Sequence, residues 1–480
     1  MIPCTDRIRG WHIPASLRFA LLIGVLTIAR PGQESTAQGS ETGIHVAPAT
    51  ALDTGIATQA VVEVSPTGAV SSIADGIRLV RPGGRVVVHA GTYREPMIVI
   101  DRPMVLEGEG WPTVDGEGDR ELIRIRASGV TVRGLRLTRV GASMTEDRAA
   151  IRAMEVRDCT IVGNRFDDTY YGVYLQSTEG CSVTDNDFAG IPHASEALTG
   201  NAIHLWSTRD VEIARNRISG HRDGIYFEFV RNAVVSENVS EQNMRYGLHF
   251  MFSDSCRYDR NIFRHNGSGV AVMYTNVVTM TDNQFADNRG GAAYGLLLKE
   301  IADPVLIGNS FVGNTVALMA DGATRLIVER NRFTDNGWGV RLMSSVQDGR
   351  FTSNDFSGNT FDVSTNGGSG LSAKFDGNWF ADYRGYDLDR DGFGDVPHRP
   401  VRLFSILVAR YETMLVLQRS LFVGLLDAAE RALPSLTPAA LVDPRPAMRP
   451  VAGEPTAGRS AESALRSTRV HSQPSPRAAG

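Results

Sequence analysis

The sequence predicts an all-β solenoid, a right-handed parallel β-helix with a short C-terminal helical segment, and three columns of residues predict it. The first is Asn-x-Phe behind an alternating apolar run: Asn164, Asn186, Asn216, Asn238, Asn261, Asn283, Asn309, Asn331, Asn354 and Asn378 follow one another at steps of 22 to 24 residues, stretched once to 30 and once to 26. Two residues after each Asn stands Phe in eight of the ten cases, with Ile218 and Ser240 as departures. The second column, three residues before each Asn, is Ile161, Val183, Ile213, Val235, Tyr258, Met280, Leu306, Val328, Phe351 and Phe375, as an inward strand position requires. The third is a strand that usually opens with Gly, as in Gly172-Val-Tyr-Leu, Gly224-Ile-Tyr-Phe, Gly247-Leu-His-Phe and Gly339-Val-Arg-Leu. A period in the low twenties with strand alternation is one coil per repeat, each coil burying its apolar side chains only against its neighbours. The Leu-x-x-Leu-x-Leu signature of a leucine-rich repeat is missing. Asn tolerates left-handed backbone and can hydrogen-bond along the axis, so its column has a structural task. About a dozen coils are expected, with the Phe rings stacked inside.

Residues 1–37 read as an export signal. Arg7, Arg9 and Arg18 precede the apolar run Phe19-Ala-Leu-Leu-Ile-Gly-Val-Leu-Thr-Ile-Ala29, and Ser35-Thr-Ala37 offers a cleavage site. The run is too short to span a membrane, so a periplasmic mature protein is expected. Residues 38–57 are a patternless lead-in. The β-helix is expected over 58–400, a helical docking segment over 401–450 and a disordered tail over 451–480. A net charge of −5, from 49 basic and 54 acidic residues, offers no basic surface and excludes nucleic acid as partner.

Along the solenoid, Ser71 to Val80 suits a short amphipathic helix with Ile73, Ile77 and Val80 on one face, capping the open first coil. Insertions at Gly141–Asp147, Gly190–Gly200 and Gly290–Ala293 depart from the period, and such loops gather at functional faces. Cys159, Cys181 and Cys256 each lie five residues before a repeat Asn, in an inward column otherwise holding Val211, Ala233 and Val278. Cys159 and Cys181 fall on successive coils within disulfide reach. Because their side chains point the same way, buried thiols are the expectation.

Beyond Phe380, Asp387-Leu-Asp-Arg-Asp-Gly-Phe-Gly-Asp395 places Asp387, Asp389, Asp391 and Asp395 as in the first half of a calcium loop, but position twelve is His398 rather than Glu. Calcium and a plain acidic turn both remain open. Leu403 to Leu433 carries apolar residues at helical spacing, interrupted by Arg410, Glu412, Arg419 and Asp427, which excludes a membrane span. It reads as two helices that cap the last coil, dock a protein, or both.

Strand parity also predicts what faces outward. One outward column reads Tyr174, His204, Tyr226, His249, Ala271, Leu297, Leu318 and Arg341, and the next Gln176, Trp206, Glu228, Met251, Met273, Lys299, Ala320 and Met343. His249 and Met251 share a strand face, with Met273 one coil on and His204 and Glu228 on the coils before. Thioether plus imidazole suits Cu(I) rather than a hard cation. A metal site and a protein interface are both open readings of this stripe.

Tyr246-Gly-Leu-His-Phe-Met-Phe-Ser-Asp-Ser-Cys256, Asn266-Gly-Ser-Gly-Val-Ala-Val-Met-Tyr274 and Asp382-Tyr-Arg-Gly-Tyr-Asp-Leu-Asp-Arg-Asp-Gly-Phe-Gly-Asp-Val-Pro397 resemble the NosD family, and the likeness runs from about Val61 to Pro450. The resemblance implies a periplasmic, non-enzymatic accessory protein of nitrous oxide reductase maturation. It would act with the ABC transporter components NosF and NosY in supplying copper to the reductase, with a copper chaperone as a further partner. No ligand motif carries over position by position, so the His and Met assignment rests on parity alone. The same fold carries polysaccharide lyases, epimerases and adhesins. A lyase or epimerase needs grouped acid and base side chains on an outward groove, and Glu228, Lys299 and Glu300 are scattered.

Overall fold

The computed structural model describes residues 58–452, apart from 144, 192–195, 291–292, 367–370, 419 and 434–440. The expected signal, lead-in and most of the tail lie outside the described residues. The chain winds into a right-handed parallel β-helix with one sheet of 24 strands and a second of 13 strands, and the second sheet takes one strand from each coil. Strand pairings within both sheets are parallel, for example Phe166 with Phe188 and Ile161 with Val183.

The predicted columns are where parity put them. All of the residues at Asn minus three, from Ile161 to Phe375, are buried, and so are the eight phenylalanines. The Phe rings stack coil on coil, with centroids 4.4 Å apart at Phe166–Phe188 and 4.6 to 4.9 Å apart from Phe285 to Phe380. Ser240 interrupts the column and is satisfied there, its hydroxyl donating to the Gly247 carbonyl at 2.8 Å. The Gly that opens the outer strand is dictated by closeness: a Cβ at Gly172 would lie 2.6 Å from the Ala202 carbonyl oxygen and 2.7 Å from the Phe188 ring. The asparagines form a buried ladder in which each Oδ1 accepts the previous Asn's backbone N–H, as Asn309 does from Asn283 at 2.9 Å. A second ladder, not anticipated, runs five residues further on through Asn243, Asn266, Asn288, Asn314, Asn336 and Asn359.

The first coil is capped by helix α1 (Ile73–Leu79), with Ile73 and Ile77 buried; Ser72 and Glu95 accept its first backbone N–H groups. Three expectations need correction. Register pairs Leu297 with Met319 and Lys299 with Asp321, so Met319 and Asp321 continue the outward columns while Leu318 and Ala320 are in the core. That coil opens on Ala317 instead of Gly and had no marker for its phase. Cys159 and Cys181 are joined as a disulfide, because parallel register brings their Cα atoms to 4.5 Å despite the shared side-chain direction. Cys256 is a free, buried thiol, which burial pushes up to about 11.

The third correction concerns the C-terminal end. Helix α2 (Leu403–Arg410) packs Phe404 and Val408 against Phe361 and Ile406 against the main core, with helix α3 (Leu421–Ala432) behind it through Val423 and Leu426, so the helices lie on the outer sheet and cover the last coil only in part. The rest of the cover is returning chain: Val401 bridges to Val363, Ala447 to Trp379, and Leu441 joins the core. The Asp443 carboxylate terminates the Asn ladder, accepting Asn378 N–H at 3.0 Å and Asn378 Nδ2 at 2.8 Å.

Candidate functional site

All three insertions fall between a strand of the second sheet and the start of an outer strand: between Val140 and Ala149, Ala189 and Ile203, and Ala286 and Tyr294. They therefore border the outward columns, whose register is Arg152, Tyr174, His204, Tyr226, His249 and Ala271 in one row. Beside it runs Gln176, Trp206, Glu228, Met251, Met273 and Lys299. Met251 and Met273 are direct register partners on adjacent coils, and Glu228 is the partner of Met251 on the other side.

His249 is only 7% exposed, with its ring against Tyr246 at 4.7 Å and Tyr226 at 5.2 Å. Neither ring nitrogen has a hydrogen-bond partner among the described residues. Burial, followed by the Arg245 and Arg222 charges, pushes the imidazole down to about 4, so it is neutral with an unused lone pair. Leaving buried polar atoms unpaired is unfavourable, and a ligand is a common reason for it. Ala271, next in the row, is small and itself buried.

His204 does not join His249. Tyr226 stands between them, with its ring 4.8 Å from His204, and Asn201 Nδ2 lies 3.0 Å from His204 Nδ1. Burial and the Arg222 and Arg152 charges hold His204 down to about 3. Two coils of separation, about 10 Å at strand spacing, put it outside one coordination sphere with His249. Glu228 accepts the Tyr226 hydroxyl at 3.3 Å. Parity could not reveal the surround of Tyr171, Tyr246, Arg222, Arg245 and the buried Asp223, because these residues precede the Gly, where the strand bends and alternation gives no direction.

In the acidic loop, one oxygen each from Asp387, Asp389 and Asp391 lies within 4.8 Å of the others. Asp395 is not among them and accepts Leu388 N–H at 2.6 Å. Asp387 accepts Arg390 and Gly392 N–H groups, and Asp391 accepts Phe393 N–H, so loop backbone already supplies these carboxylates with partners. His398, at position twelve of the loop, packs its ring 4.4 Å from Phe380.

A family model described as periplasmic copper-binding protein (NosD) matches residues 191–385, the stretch that carries these columns from His204 and Trp206 onward. A Pseudomonas aeruginosa protein named probable ABC transporter binding protein NosD is 31% identical over 399 residues, 79% of this chain and 92% of that protein. The chain belongs to the NosD family. A Stutzerimonas stutzeri protein of the same name is 27% identical, covering 75% of this chain and 86% of its own. Among solved structures, the Streptococcus pneumoniae surface adhesin PfbA is similar at 12% identity and a TM-score of 0.47, covering 59% of this chain and 85% of its own. Both NosD relatives are named as probable ABC transporter binding proteins, and the family is described as periplasmic and copper-binding. No helix among the described residues is long and apolar enough to cross a membrane.

Proposed function

We propose that this chain is a non-enzymatic periplasmic accessory protein that handles Cu(I) on the outer face of its β-helix. It would serve maturation of the copper–sulfur site of nitrous oxide reductase together with NosF and NosY. The observation that carries this reading is His249, a buried neutral imidazole with both ring nitrogens unpaired, on the same strand as Met251 and in register with the Met251–Met273 pair through its coil. Two thioethers and one imidazole form a soft donor set that needs no deprotonated thiol, and the raised Cys256 thiol is not required. Glu228 lies at the edge of the set, and His204 is excluded from it by Tyr226. The coils are rigid, so donors on neighbouring coils keep their spacing without folding around the ion, which suits binding followed by release.

The test is a competition titration against a Cu(I) chelator. A Met251→Leu, Met273→Leu double variant conserves volume and is expected to weaken Cu(I) binding at least about tenfold, with His249→Gln behaving alike. Met280→Leu, in the core, should leave affinity unchanged. Equal affinity for the wild type and the double variant would place copper elsewhere and make the methionine pair a protein contact.

A further inference from the structure

Each outer strand ends on a turn residue with left-handed backbone. In successive coils these are Glu155, Ser177, Ser207, Phe229, Phe252 and Tyr274, with φ between 50° and 57°. That backbone suits Gly or Asn and disfavours bulky side chains. Three consecutive coils nonetheless hold aromatic rings there, and these are 48%, 43% and 46% exposed. The rings stack on one another with centroids 5.3 Å apart at both steps and planes within 14°. A turn does not need them and the core does not receive them, so a contact with another molecule accounts for them better than folding does.

Stacking uses up most of the ring faces. Phe252 is covered on both sides and Tyr274 on one. Phe229 rests on Phe252 by one face, while its other face looks along the column toward Ser207 and Ser177, whose side chains are too short to cover it. The outcome is a trough of about 550 Å³ that spans the coils from Glu155 to Phe252. Its charged wall is unevenly paired. Arg157 and Arg209 both bind Glu179, at 3.1 and 2.8 Å, whereas Arg231, two residues beyond Phe229, has no ion pair among the described residues.

We propose that this trough binds an acidic, aromatic-bearing peptide segment of a partner protein. An aromatic ring of the partner stacks on the free face of Phe229, and a neighbouring carboxylate pairs with Arg231. A glycan is the poorer fit, because successive sugar rings need successive free faces, whereas the two free faces of this ladder, on Phe229 and on Tyr274, lie at opposite ends of the stack. Exposed aromatics beside an unpaired arginine are the composition of a protein-binding hot spot. Phe252 and Tyr274 directly follow Met251 and Met273 in the chain, so a segment seated here ends beside the methionine pair, although the trough does not depend on copper.

The experiment titrates the full chain with an acetylated, amidated peptide, Glu-Glu-Trp-Pro-Glu-Glu, by calorimetry. Saturable binding with a Kd below about 1 mM is expected. Phe229→Asn, which suits the left-handed turn and so keeps the fold, should weaken it about tenfold, as should replacing the peptide's Trp by Ala. Arg231→Gln should weaken it several-fold and flatten its salt dependence. Absence of peptide binding, or affinity indifferent to both substitutions, overturns the proposal. So does binding of an oligogalacturonate that Phe229→Asn abolishes while the peptide does not bind, which would make the trough a glycan site.

Discussion

Asn309 shows what one residue does for a coil. Its Oδ1 accepts the backbone N–H of Asn283 at 2.9 Å and Asn283 Nδ2 at 3.0 Å, and its own Nδ2 donates to the Met280 carbonyl and to Asn331 Oδ1, both at 2.9 Å. All of these groups are buried, so none can turn to water instead. Asn309→Ala leaves an amide N–H, a side-chain donor and a carbonyl unpaired, and orphaned groups cost roughly 1–3 kcal/mol each before relaxation. The expected loss is about 4 kcal/mol in urea unfolding, and a loss below about 1 kcal/mol would show that the ladder is ornamental to stability. The task of this column was legible in the sequence because its Asn-x-Phe signature marks phase. The second ladder was not, since Asn243 or Asn288 sits in a turn without flanking alternation. The functional residues divide in the same way. Parity along a strand placed His249, Met251 and Met273 in their columns, but it says nothing about ring contacts, so the intervention of Tyr226 between His204 and His249 had to be seen.

At the scale of elements, strands were readable wherever Gly opened them and slipped by one where Ala317 did so, because alternation alone does not say which parity is inward. The ends were harder. The apolar spacing of α2 and α3 announces helices without saying what they cover, and Asp443, 65 residues from Asn378, has no local pattern that links it to the ladder. The placement changes what removal of the C-terminus should do. Truncation at residue 403 removes Asp443 and Leu441 with the helices and would unravel the last coils, so it cannot test docking alone. Point changes can, because Leu421, Phe422 and Leu425 are exposed while Val423 and Leu426 face inward. Leu421→Glu with Leu425→Glu should leave thermal stability within a degree or two, as surface changes usually do, yet abolish co-purification with NosF and NosY if this face meets the transporter. Retained co-purification would assign the helices to covering the outer sheet only.

For the molecule as a whole, the common feature of the histidines inside the solenoid and at its outer face is neutrality. Burial is the main cause in each case, and it holds His221, His249 and His398 down to about 4 and His204 to about 3. An unfolded histidine titrates near 6.5, so between about 6.5 and 4 the unfolded chain binds protons that the folded chain refuses, and stability falls as pH falls through that window. Buried carboxylates act in the opposite sense. Asp362, raised to about 6 by burial, takes up its proton in the folded state first and stabilises it as pH drops. The net profile is therefore a difference, and one histidine must be isolated to test the account. His221 suits this: it is 1% exposed, its Nε2 has no partner among the described residues, and it lies outside the copper donor set. His221→Gln keeps a side-chain donor and removes the titration. The stability difference between the two proteins should shift by about 1.4 kcal/mol for each pH unit between 6 and 5, with the wild type losing more. Parallel urea midpoints from pH 7 to 5 would mean that His221 is protonated in the fold and that water reaches its Nε2.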